Sequence, residues 1–160
     1  MSYLLDVNEI LGFAVYIEER GYEFYVEAMK KFHEPRATEL FQYLADEEFK
    51  HEKVFKRLVG QDGGLKKGEH DAEYQAYMRE FVKAHQLGDT EAVNRKLARL
   101  STLEDILDLA MGFEKDSIVF FSELKEAYAK GHTAALDRVI HEEMGHLRKI
   151  FQMKQQLAGK

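Results

Sequence analysis

Along most of this chain, apolar residues recur at alternating steps of three and four, the spacing of an α-helix with one buried face. Four long stretches carry the pattern. It predicts helices over about 7–32, 35–59, 102–130 and 133–158. Local punctuation agrees with those limits. Asp6 with Glu9 and Ser101 with Glu104 stand at capping-box spacing, Pro35 suits a first helical turn, and Gly131 before Thr133 reads as a stop and a start. A helix of about 25 residues is roughly 37 Å long, which suits a four-helix bundle.

The pattern is also repeated. NEILGFAVYIEERGYEFY (8–25) aligns with EDILDLAMGFEKDSIVFF (104–121), with identities at Ile10/Ile106, Leu11/Leu107, Ala14/Ala110, Glu18/Glu114 and Phe24/Phe120. ADEEFKHEKVF (45–55) aligns with IHEEMGHLRKI (140–150). The repeated unit is one helical hairpin. Between the copies lie a glycine-rich stretch (60–70) and DAEYQAYMREFVKAHQL (71–87), which sets Tyr74, Tyr77, Met78, Phe81 and Val82 on one helical face. A short helix over about 90–100 follows, carrying Val93, Leu97 and Leu100. A connection this long suits a crossover that lets the third long helix run parallel to the second. The expected architecture is all-α and one domain, 1–160, with a hairpin over 1–60, a crossover over 61–100 and a hairpin over 101–160.

The inward seams pose the chemical question. The first helix offers Val7, Leu11, Ala14, Glu18, Gly21, Tyr25, Ala28 and Phe32, and the second Phe41, Leu44, Glu48, His51, Phe55 and Leu58. The third offers Leu103, Leu107, Ala110, Glu114, Ser117, Phe121, Leu124 and Tyr128. The fourth offers Leu136, Val139, Glu143, His146, Ile150, Met153 and Leu157. Every seam is apolar or small except near its middle. There the first and third helices each carry one glutamate, and the second and fourth each carry Glu-x-x-His. Glu18 and Glu48 lie at similar distances from the turn that joins their helices, so all six side chains can meet in one layer.

Burying one carboxylate costs several kcal/mol, and four together also repel one another. Two divalent cations cancel four negative charges, and two imidazoles complete the shell without adding charge. Glu18, Glu48, His51, Glu114, Glu143 and His146 are therefore the candidate metal ligands. Oxygen donors with two nitrogens and no sulfur suit iron or manganese, with zinc as an alternative. Satisfied buried salt bridges are the competing reading. Glutamate is 20 of 160 residues, so a histidine has one three residues before it about one time in eight by composition. Of seven histidines only His51 and His146 do, and they are repeat equivalents on inward seams.

Around this set, Glu47 and Glu142 are placed to accept the free N–H of the opposite histidine. Tyr22 and Tyr25 follow Glu18 by one and two turns and could hydrogen-bond a ligand carboxylate. His33, His70, His85, His132 and His141 have no convergent partners and read as surface or loop. Composition narrows the classes further. A net charge of −6 gives no support to nucleic-acid or anionic-membrane binding. No apolar run approaches the roughly 18 residues of a membrane span. The absence of cysteine excludes disulfides, thiol catalysis and iron–sulfur or rubredoxin-type centres within this sequence. The start, MSYLLDVNEI, does not read as a signal peptide, and the cytoplasm is the expected location.

EERGYEFY, DEEFKHEKVF, FEKDSIVFF and HEEMGHLRKIF together resemble the rubrerythrin-like branch of the ferritin-like superfamily. The resemblance covers roughly 1–60 and 100–158. It implies a ferritin-like four-helix bundle and a di-iron carboxylate centre that reacts with hydrogen peroxide or dioxygen. It carries the ligand roles onto the same six residues, with either Glu48 and Glu143 or Glu18 and Glu114 bridging two iron ions. It further implies a homodimer or larger homo-oligomer. Rubrerythrins proper carry a cysteine-containing rubredoxin domain, so electrons here are expected from an external donor such as a rubredoxin-like protein. They also have a further ligand glutamate one turn before the one on the third long helix, where this sequence has Met111. A ferroxidase or iron-handling role and a non-catalytic metal-binding bundle are the alternatives.

Overall fold

A computed structural model describes residues 7–59, 72–85, 90–128 and 130–159. Its elements are helices throughout: α1 (Val7–Lys31), α2 (Pro35–Leu58), α3 (Ala72–Ala84), α4 (Thr90–Arg99), α5 (Leu103–Lys125) and α6 (Ala134–Ala158). None is long and apolar enough to cross a membrane.

The termini show why the helices begin and end where they do. Pro35 opens α2, and the Glu34 carboxylate accepts the Ala37 N–H at 2.8 Å, taking up one of the free donors of the first turn. At α5 the capping residue is Thr102, whose hydroxyl accepts the Asp105 N–H at 3.1 Å. The predicted cap pair, Ser101 with Glu104, is thus displaced by one residue. The Asp6 cap lies outside the described residues. Helix α5 also ends at Lys125, short of the predicted limit near 130. The N–H groups of Glu126, Ala127 and Tyr128 bond three residues back rather than four, so the last turn tightens and leaves the helix path. Gly131 then turns the chain at φ +90°, which a side chain would disfavour.

Helices α1 and α2 form one antiparallel hairpin and α5 and α6 the other, with α1 beside α5 and α2 beside α6. Phe55 and Phe121 meet at 4.8 Å, each seven residues beyond the glutamate of its own seam, Glu48 or Glu114. That meeting requires α2 and α5 to run in the same direction, as the crossover predicts.

The predicted seams are buried along their middles, with Phe32, Leu58, Leu103 and Leu157 at their ends partly buried and the Val7 side chain outside the described residues, and on α1 and α5 the apolar face is wider than one seam. Ile10, Ile17 and Phe24 on α1, and their repeat equivalents Ile106, Phe113 and Phe120 on α5, are also buried. The crossover covers this second stripe. Met78 of α3 is fully buried, Phe81 packs on Phe120 with ring centroids 5.9 Å apart, and Val93 and Leu97 of α4 are buried. Tyr77 sits at the margin of α3, exposed, and the Tyr74 side chain lies outside the described residues.

Gly21 of α1 faces Phe113 of α5 and Glu48 of α2 at close range. A β-carbon there would lie 2.5 Å from Phe113 Cζ and 3.0 Å from Glu48 Oε2. Alanine gains up to about 1 kcal/mol over glycine in a helix interior, whereas forcing atoms into a packed core costs about 1–3 kcal/mol. Gly21→Ala is therefore expected to lower stability in urea denaturation despite its better helix propensity. A raised midpoint would mean that the Phe113 ring yields freely.

Candidate metal centre

The six candidate residues converge in the middle of the bundle. Glu18, Glu48, Glu114 and Glu143 are fully buried, and His51 and His146 are each 1% exposed. Their donor atoms fall into two overlapping sets. Glu18, Glu48, His51 and Glu143 offer one set of atoms within 4.8 Å of one another, and Glu48, Glu114, Glu143 and His146 offer the other. Glu48 and Glu143 belong to both sets. Glu18 belongs to the first set alone and Glu114 to the second alone.

Both histidines turn Nδ1 inward. His51 Nδ1 lies 2.8 Å from Glu143 Oε1 and 3.7 Å from Glu18 Oε2. His146 Nδ1 lies 3.2 Å from Glu143 Oε2, 3.6 Å from Glu48 Oε1 and 3.8 Å from Glu114 Oε2. The two rings stack, with centroids 5.5 Å apart and planes at 20°. The Nε2 atoms face the other way. His51 Nε2 is 2.7 Å from Glu142 Oε2, and His146 Nε2 is 4.0 Å from Glu47 Oε2. Glu142 thus meets its predicted partner at hydrogen-bond distance, and Glu47 stands just beyond that range.

Tyr25 donates its hydroxyl proton to Glu114 Oε1 at 2.5 Å. Its ring is fixed by stacking on Phe41 and by edge contacts with Phe24 and Phe113. Tyr22 is not brought to the cluster. It is 39% exposed, and its ring lies against Phe49 on the outer surface. Both tyrosines lie near the helical direction of Glu18, but residue 25 is turned about 20° from it and residue 22 about 40° to the other side, which places Tyr22 at the outer margin of the seam.

One histidine departs from expectation. His85 reads from sequence as surface or loop, but it is only 5% exposed. It closes α3 with its Nε2 3.1 Å from Ser117 Oγ and its ring edge-on to Phe113. Burial drives its pKa down to about 4, so it is neutral at physiological pH. The signal lay in spacing: Met78, Val82 and His85 follow one another at four and three residues, continuing the inward stripe of α3. His33, His132 and His141 are exposed as expected, and His70 lies outside the described residues. Met111 is half-buried against the core.

Electrostatics show that the cluster is not self-satisfied. Both oxygens of Glu18, both of Glu48 and Oε2 of Glu114 are buried without a hydrogen-bond partner. Burial pushes the Glu18 and Glu48 carboxyls well above the usual range, with neighbouring carboxylates adding to the shift. Burial and then Glu143 push Glu114 up to about 8. Burial also acts on Glu143, but hydrogen bonds with Glu114, His146 and His51 hold its pKa below the ordinary value. Burial opposes charging His51 and His146, yet contacts with Glu143 and, for His146, Glu114 raise both, His51 to about 9. Orphaned, buried oxygens facing two inward nitrogens are what a pair of divalent cations would satisfy, and the donor types suit iron or manganese.

Without metal, these shifts share one sign over most of the range. The raised carboxyls give up a favoured proton as pH climbs above 4.5, and the raised imidazoles give stability that is complete below 6.5 and lost as pH rises through about 9. Glu143 alone acts oppositely, its contribution fading on acidification below 4.5. The chelator-treated protein is therefore expected to lose thermal stability steadily between about pH 5 and 9. The cation-loaded protein should gain stability over the same interval, because cations compete with protons for the same atoms. Calorimetry of both forms across that range checks this.

Comparison with known proteins places this geometry. A solved structure from Thermotoga maritima, described as a ferritin-like diiron-carboxylate protein, superposes with a TM-score of 0.69 at 26% identity, covering 97% of this chain and 98% of its own. No curated protein matches the sequence. Residues 9–154 match the family described as Rubrerythrin. The chain belongs to the rubrerythrin family, with a ferritin-like fold and a buried glutamate–histidine cluster fit for a di-iron carboxylate centre.

Proposed function

We propose that this protein holds two iron ions and uses them to reduce hydrogen peroxide or dioxygen, with electrons restored by an external donor. The observation that carries the reading is the pair of overlapping donor sets that share Glu48 and Glu143. Sharing lets two cations sit side by side in one buried pocket, which two separate sites would not do.

Bound ferrous ions would supply two electrons, enough to convert one peroxide and two protons into two waters. The chain supplies the rest. Glu48 and Glu143 would be shared between the two ions, with Glu18 and His51 completing one donor set and Glu114 and His146 the other. Glu142 holds His51 by its Nε2 proton, which orients Nδ1 toward the ion. Tyr25 holds Glu114 Oε1 with a phenol whose pKa is raised well above 10 by burial and the Glu114 charge, so the proton stays on Tyr25 Oη. Phe24, Phe113 and Phe41 exclude water around that phenol.

Iron oxidation as an end in itself is the second reading, and Met111 favours it. The position where rubrerythrins add a ligand glutamate here holds a thioether packed against the core. The size of the native assembly separates the readings, because a dimer encloses no space for a mineral, whereas a hollow shell does.

Anaerobic protein is expected to bind two ferrous ions per chain and, on adding peroxide, to consume one peroxide per two irons oxidised. Protein that takes up zinc and leaves peroxide untouched when iron-loaded would sink the redox proposal. Glu114→Ala should retain one ion per chain rather than two, measured by metal analysis after desalting. Two ions retained would remove Glu114 from the ligand set.

A further inference from the structure

The two long sides of the bundle are covered unequally. On the α1–α5 side the crossover closes the centre: Met78 and Val82 are buried, His85 bonds Ser117, and Phe24 and Phe113 form the wall behind them. On the α2–α6 side the groups outside the two histidines are Glu47 and Glu142. Here the two imidazoles stand between the inner carboxylates and those outer glutamates, with the Tyr43 ring beside His146.

Those outer groups form a third set of donors. Glu47, His51 and Glu142 each offer an atom within 4.8 Å of the others. The Glu47 side chain is 13% exposed and that of Glu142 38% exposed, so both reach from the protein interior to water. A second observation points to a ligand at the same place. His146 Nε2 is buried, has no hydrogen-bond partner, and lies 4.0 Å from Glu47 Oε2. The remaining polar contacts are Lys50 Nζ, 2.5 Å from Glu47 Oε1, and the hydrogen bond of His51 Nε2 to Glu142. The Tyr43 ring stands edge-on to His146 beside them.

We infer that Glu47 and Glu142 form a third, weaker cation site at the α2–α6 mouth, through which divalent ions reach the inner pair. The inference rests on the reading that the inner cluster holds metal. Two carboxylates match one divalent charge. Lys50, on an exposed and flexible stem, gives way to the ion at little cost. Two protein oxygens leave most of the coordination shell to water, which hard divalent ions keep readily, so an ion is held loosely enough to move on. The outward nitrogens of His51 and His146 then line the short path between the mouth and the inner oxygens.

Crystals of the whole protein soaked in Mn2+ test this by anomalous scattering. The expected result is two inner peaks and a third, weaker peak between Glu47 and Glu142. Glu47→Gln, which leaves the Glu142 hydrogen bond to His51 in place, should keep the inner peaks and lose the third. It should also take up Mn2+ at least about tenfold more slowly in stopped flow, because a local field at a mouth speeds capture by that order or more. Glu47→Ala, at the same part-buried position, should show the same two effects. Two inner peaks with nothing at the mouth, or a variant that loads as fast as the wild type, would overturn the inference and leave the inner site standing. Absence of all three peaks would overturn the inner reading as well.

Discussion

Four carboxylates and two imidazoles share one dry layer of this bundle, and their mutual electrostatics constrain everything around them. Left without cations, the layer must take up protons, as the raised carboxyl and imidazole pKa values show. Breaking a buried charge pair by removing one partner typically costs about 3–5 kcal/mol. A cluster with five buried oxygens unpartnered is a larger imbalance than packing alone would sustain. The helices around it are built accordingly, with small residues on the seams at Ala14, Gly21 and Ala110 and aromatic rings stacked above and below.

Much of this was legible in the sequence because helical period and internal repetition are both visible there. The four long helices, the direction of α5 and the inward placement of all six polar residues follow from spacing alone. The repeat did further work, because a glutamate that recurs with its neighbours at equivalent positions is hard to read as chance. Tyr22 and Tyr25 were equal candidates by spacing, and only the packed bundle separates them, with Tyr25 buried on Glu114 and Tyr22 at the outer surface.

What spacing could not give was whatever depends on a third body. The second apolar stripe on α1 and α5 owes its burial to the crossover, whose Phe81 packs on Phe120. His85 belongs to the same gap, since its burial is decided by the crossover's path over α5. The Ser101 cap moved by one residue because Thr102 offers the backbone an equivalent hydroxyl, and helix ends are settled by such small local competitions. Which glutamates fall in both donor sets is invisible to spacing for a related reason: a seam gives the height of a carboxylate but not how far it reaches across the layer.

Duplication also makes the departures from symmetry informative. Tyr25 of α1 corresponds to Phe121 of α5, so the phenol that holds Glu114 has no twin holding Glu18. One terminal carboxylate is tethered by a proton donor, while its counterpart has both oxygens free. Gly21 and Ser117 are likewise equivalent positions, yet one admits the Phe113 ring and the other binds His85. The ends of the centre have thus become chemically unlike, the Glu114 end less basic and the Glu18 end more strongly donating, a polarity that descends from a fold whose ancestral halves were the same.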